Sequence, residues 1–156
     1  MTTSLTAPTI QFVHLRFYGS PAPQGSKTLT RWGMKEASDR VEPWRASIRY
    51  ACRDQYNGPI IDQPVHVFVT FVIARAKHHW STRKGHEDQV LPSAPTHCTV
   101  GGDIDKQCRA LLDGLSATCG GCVLKDDRLV VRLTALKRYA AASESAGALV
   151  CVKILR

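Results

Sequence analysis

Residues 63–76, QPVHVFVTFVIARA, constrain the fold more than any other stretch of the chain. Val65, Val67, Val69, Phe71 and Ile73 recur at every second position, which is the side-chain alternation of a β-strand. His66, Phe68 and Val72 occupy the other face, so this strand is expected inside a sheet and not at its edge. Strand-like runs at 11–18, 128–136 and 148–155 can supply its neighbours, and helical periodicity at 43–56 and 105–117 can supply a covering layer. The expected fold class is α/β (α+β), a single domain over 11–156 with one mixed sheet of about four strands and two or three helices. A flexible N-terminal segment is expected at 1–10.

The chain has 21 Lys and Arg against 13 Asp and Glu, a formal net charge of +8 over 156 residues. This balance makes nucleic acid the leading class of partner, because neutralising phosphates releases condensed counterions and rewards clustered cations. The start, MTTSLTAPTIQF, lacks the charged and apolar regions of a signal peptide, and no membrane span is expected, so a cytoplasmic location follows. Six cysteines (Cys52, Cys98, Cys108, Cys119, Cys122, Cys151) are expected as reduced, partly buried thiols. Cys119-Gly-Gly-Cys122 is the one metal-like spacing, and Cys98 and Cys108 do not form a second knuckle. A small zinc-stabilised nucleic-acid-binding module is therefore an alternative reading.

Basic residues gather in three places. The loop 19–27, GSPAPQGSK, has neither the spacing nor the following helix of a P-loop, but it can bring Lys27 and Arg31 to a phosphate backbone. Arg45, Arg49 and Arg53 recur every four residues along the helix expected at 43–56, either as a solvated face or as a phosphate-facing stripe. The polar stretch 77–99 carries Lys77, Arg83 and Lys84 with Trp80 and four histidines, His78, His79, His86 and His97. Those histidines lack ligand spacing, and the segment reads either as a basic, aromatic loop for nucleic acid or as a disordered loop.

Against this background the acids of 103–127 stand out. Ile104, Cys108, Leu111, Leu112 and Leu115 form one buried helical stripe, and Asp105, Arg109 and Asp113 a second, with Asp113 expected as the partner of Arg109. Asp103 and Asp105 fall at the helix start, where capping alone would account for them. Asp126 and Asp127 enter the strand expected at 128–136. Three or four carboxylates converging there would supply hard oxygens for magnesium or manganese. An EF-hand is excluded, since its sixth-position glycine would be Cys108.

Asp103-Ile-Asp105, Arg109, Ala110-Leu-Leu-Asp113-Gly-Leu115 and Asp126-Asp127, together with the early SPAPQGSK loop and the PWR helix, resemble the RusA-like Holliday junction resolvases over most of 11–138. The resemblance implies a homodimeric, magnesium-dependent endonuclease that nicks four-way DNA junctions symmetrically, of a kind often encoded by bacteriophages. Carried over, Asp103, Asp105 and Asp127 are its essential acids and metal ligands, with Asp126 a helper. Arg109 stands where the best-known members have Lys; it can stabilise charge but cannot give up a proton near neutral pH. Lys106 replaces a common Asn and is counted with the DNA contacts. A non-catalytic branched-DNA-binding protein is the other alternative.

Overall fold

A computed structural model describes residues 11–25, 27–36 and 38–156. The segment 1–10, expected to be flexible, lies outside the described residues. Six strands and two α-helices follow in chain order: β1 (Phe12–Tyr18), β2 (Lys27–Thr30), β3 (Gly33–Glu36), α1 (Val41–Gln55), β4 (Val65–Ile73), α2 (Ile104–Leu115), β5 (Val130–Tyr139) and β6 (Gly147–Ile154). The main sheet has the order β1-β6-β4-β5, with β4 and β5 parallel and the other pairs antiparallel. The fold is thus mixed α+β, as expected. β4 lies between two strands, the place that its apolar content on both faces requires.

One face of the sheet is covered. Val13, Leu15 and Phe17 of β1, Val65, Val67 and Phe71 of β4, and Val150 and Val152 of β6 are buried in one core with Trp44, Ile48 and Cys52 of α1 and Leu111 and Leu115 of α2. The two helices cross closely at Gly114, where an added Cβ would stand 2.7 Å from Ile48 Cγ2. Only glycine permits that approach without shifting the core. Gln55, at the end of α1, donates to Arg16 O at 2.6 Å and accepts from Arg16 N at 2.8 Å, satisfying part of the free edge of β1.

Two differences from the sequence expectations bear on the site. β5 runs from Val130 to Tyr139, three residues beyond the expected end, because Lys137, Arg138 and Tyr139 pair in register with Phe71, Val72 and Ile73. The segment after the loop 19–27, for which no element was expected, is a two-stranded hairpin in which Leu29 faces Met34. The stretch 77–99 is ordered by its backbone: Ser81 N donates to Gln89 O at 2.8 Å, Leu91 N to His79 O at 2.9 Å, and Trp80 bridges Val90.

Candidate active site

Two glycines set the start of α2. Gly101 and Gly102 adopt φ of +85° and +92°, a region that side chains rarely enter. A Cβ on Gly102 would lie 2.5 Å from Pro23 Cγ, so the loop 19–25 packs against this turn only because it is glycine. Gln24 N then donates to Lys106 O at 3.1 Å, tying the loop to the first turn of α2. On the other side, Lys137 Nζ of β5 donates to Gly102 O at 2.7 Å.

Asp103 occupies the N-cap position with an extended backbone, yet its carboxylate makes no capping hydrogen bond. It turns instead to Lys106 Nζ, 2.8 Å away. That hydrogen bond and the lysine's charge, helped by Lys137, hold Asp103 below the ordinary carboxylate range, and the same contact raises Lys106. Asp105 is exposed one residue into the helix and lines a polar cavity of about 420 Å³ with Gln24, Lys27, Lys106 and Arg109. Three cations and one acid around a cavity make a site for an anion, with a carboxylate at its rim. Arg109 is exposed and makes no ion pair among the described residues.

The second pair of acids is held separately. Ile61 N donates to Val123 O at 2.9 Å and Lys125 N to Ile61 O at 3.0 Å, seating the chain just before β5. Asp126 caps the short 3₁₀ turn Asp127–Leu129, its Oδ1 accepting from Arg128 N at 2.9 Å. Partial burial, then a hydrogen bond with Asp126 and the charges of Asp126 and Asp113, push Asp127 above its ordinary value. Asp113 does not pair with Arg109, contrary to the sequence expectation. It accepts from Arg45 Nη2 of α1 at 2.9 Å, in a half-buried pair that the helix crossing creates.

These placements leave two carboxylate pairs and no single cluster. Ten residues of helix, roughly 15 Å at 1.5 Å per residue, separate Asp103 from Asp113, whose charge reaches Asp127. Among the described residues no three His, Cys, Asp or Glu side chains come together as a metal site. Magnesium binding does not demand such a cage, since the ion is commonly held by one or two carboxylates, substrate phosphate oxygens and water. Asp103 with Asp105, or Asp126 with Asp127, fits that requirement; burial is the chief cause that raises Asp127, and the repulsion from Asp126 and Asp113 that adds to it is what a cation would relieve.

The basic residues named from sequence divide by engagement. Lys27 lines the cavity. Arg31 lies at the β2–β3 turn, its guanidinium 5.4 Å from the centre of the Trp32 ring. Arg45 is held by Asp113 and Glu42, Arg49 by Glu42, and Arg53 donates to Gly120 O at 3.1 Å, so the stripe on α1 is largely turned inward on the protein's own groups. Lys77, Arg83 and Lys84 are exposed on the loop 77–99, and Lys106 is shared with Asp103.

Gln24 was not legible as a site residue, because no motif marks it. Its only signal is its place in the PQGSK loop before Lys27. It is buried, and its Oε1 has no partner among the described residues. The thiols give zinc little support: Cys119 is exposed, and Cys122 lies beside Cys52, whose own thiol is pushed up to about 12, chiefly by burial and then by Cys122. A sequence profile of the family described as endodeoxyribonuclease RusA matches residues 19–147. No curated protein sequence matches the chain.

Proposed function

The chain belongs to the RusA endodeoxyribonuclease family, and from that premise we propose that it resolves four-way DNA junctions by paired, symmetric phosphodiester nicks. The observation that carries the reading is the cavity at the start of α2, where Asp105 shares a rim with Lys27, Lys106 and Arg109. A carboxylate set among cations is suited to a polyanion that must be bound and then attacked. Lys27 and Arg109 would hold phosphate oxygens, Arg109 in a two-pronged contact open to a planar guanidinium. Lys106 keeps Asp103 ionised. Arg109 also offsets charge that builds on the phosphate as it is attacked.

Asp103 with Asp105, and separately Asp126 with Asp127, would each offer carboxylates to magnesium or manganese, which supplies Lewis acidity and an activated water at neutral pH. A homodimer suits a two-fold junction, since an isologous pair presents one site to each of two equivalent strands. The protein then acts on branched DNA in the cytoplasm of a bacterial host.

Incubation with a synthetic four-way junction, with and without magnesium, tests this directly. Paired nicks at symmetric positions are expected only with the metal. Alanine at Asp103, Asp105 or Asp127 should abolish nicking while junction affinity is kept or improved, because negative charge near phosphate is removed; equal loss of both would sink the assignment. That no three acids come together among the described residues is the observation that favours a non-catalytic branched-DNA-binding protein. That reading requires binding without nicks in any divalent metal.

A further inference from the structure

The β2–β3 hairpin starts at Lys27, in the wall of the active-site cavity. Its turn is braced by Thr30, whose Oγ1 donates to Gly33 O at 2.7 Å and accepts from Trp32 N at 3.3 Å. Gly33 takes φ of +112°, with open space where a Cβ would stand. The brace holds Trp32 outward at 89% exposure, and Leu29 and Met34, which face each other across the strands, are 77% and 61% exposed. A two-stranded hairpin cannot bury such residues by itself, and three large apolar side chains on one arm amount to an unfilled surface.

Arg31 lies between these apolar residues, and Lys27 and Lys35 flank them. Cations interleaved with an aromatic ring match a partner with a negative outside and an apolar, stacked inside, which is DNA. A second copy of the chain matches less well, since each carries a net charge of +8 and the arm is itself basic. Lys27–Thr30 is extended, about 10 Å of strand, and Arg31 and Trp32 form the turn at its end, so the tip reaches past the phosphate held at the cavity.

We propose that the hairpin is a wedge: Trp32 inserts between base pairs at the branch point and unstacks them, while Lys27 and Arg31 hold the flanking phosphates. The proposal rests on the nuclease reading for its substrate and adds how the branch is recognised. Unstacking costs least where stacking is already interrupted, so a wedge favours junctions over continuous duplex.

The test uses a four-way junction with 2-aminopurine at the crossover, bound by the full chain in EDTA, together with nicking assays in magnesium. Wild-type protein is expected to raise the fluorescence on binding. Trp32→Ala should remove that rise and slow nicking by about tenfold, whereas Trp32→Phe should keep most of both. A junction whose centre is already unpaired by mismatches should restore nicking by Trp32→Ala to nearly the wild-type rate. Wild-type fluorescence and nicking in Trp32→Ala overturn the wedge and leave the nuclease reading intact. A nicking defect that the unpaired centre does not restore, or a change in oligomeric state on sedimentation, also overturns it. Wild-type protein that neither binds nor nicks branched DNA overturns both.

Discussion

Asp127 and Asp103 are carboxylates of the same type in opposite electrostatic settings. Asp103 is held ionised by Lys106, while Asp127 is pushed up by burial and by Asp126 and Asp113. A carboxylate whose folded value is raised is destabilising when ionised, so its contribution favours the fold at low pH and is lost as pH rises through the folded value. At neutral pH, Asp127→Asn removes the partly buried charge and its repulsion with Asp126 and Asp113, and keeps the side chain's shape. Its Tm by circular dichroism should therefore equal the wild type's or exceed it by up to about 3 °C, while nicking is abolished and junction affinity retained. A fall in Tm would mean that Asp127 supports the fold, contrary to the direction of its shift. The sequence supplied the identities of all five acids but not these settings. Asp113 and Arg109 are four residues apart on a helix and look like partners; Arg45, 68 positions from Asp113, takes that role because α1 crosses α2 there.

Elements with a strong period were legible, and those without one were not. β4, α1, α2 and β6 fall within a few residues of their expected places, because a buried face imposes its spacing on the sequence. The β2–β3 hairpin buries no face, so KTLTRWGMKE carries no such spacing. The turn joining β5 to β6 was equally silent, although it is tightly held. Arg138 meets Glu144 through two hydrogen bonds of 2.7 and 2.8 Å, and Ala141 N donates to Glu144 Oε2 at 2.8 Å. The Arg138 contact, then the Ala141 amide, bring Glu144 down to about 2. A depressed carboxylate contributes stability that is present above its unfolded value, near 4.5, and lost as pH falls towards 2. Glu144→Gln should cost about 1 kcal/mol at pH 7, the pair being partly screened by solvent. Thermal melts of variant and wild type should then converge between about pH 4.5 and 2, and a gap that persists at the acid end would show that the pair's charge is not what holds the turn.

At the scale of the whole molecule, net charge fixes the class of partner but not which cations meet it. Arg45, Arg49 and Arg138 are matched by acids of the same chain, whereas Lys27, Arg31, Lys77, Arg83, Lys84 and Arg109 make no ion pair among the described residues. An ion-paired cation releases few counterions when DNA arrives, since its charge is already compensated; an unpaired one contributes close to a full share. If most of the unpaired set reaches phosphate, the logarithm of junction affinity should fall with the logarithm of salt concentration at a slope of about −5. Lys27→Ala should bring that slope closer to zero by about one. Arg45→Ala should leave the slope unchanged but lower thermal stability, because it leaves Asp113 half-buried without its partner. Trp32→Ala removes no charge and should weaken junction binding by the same factor at every salt concentration. Titrations by fluorescence anisotropy at four or more salt concentrations separate the three variants. A slope change in Arg45→Ala equal to that in Lys27→Ala would place the α1 stripe on the DNA after all, and would mean that its pairs with Glu42 and Asp113 open when DNA binds.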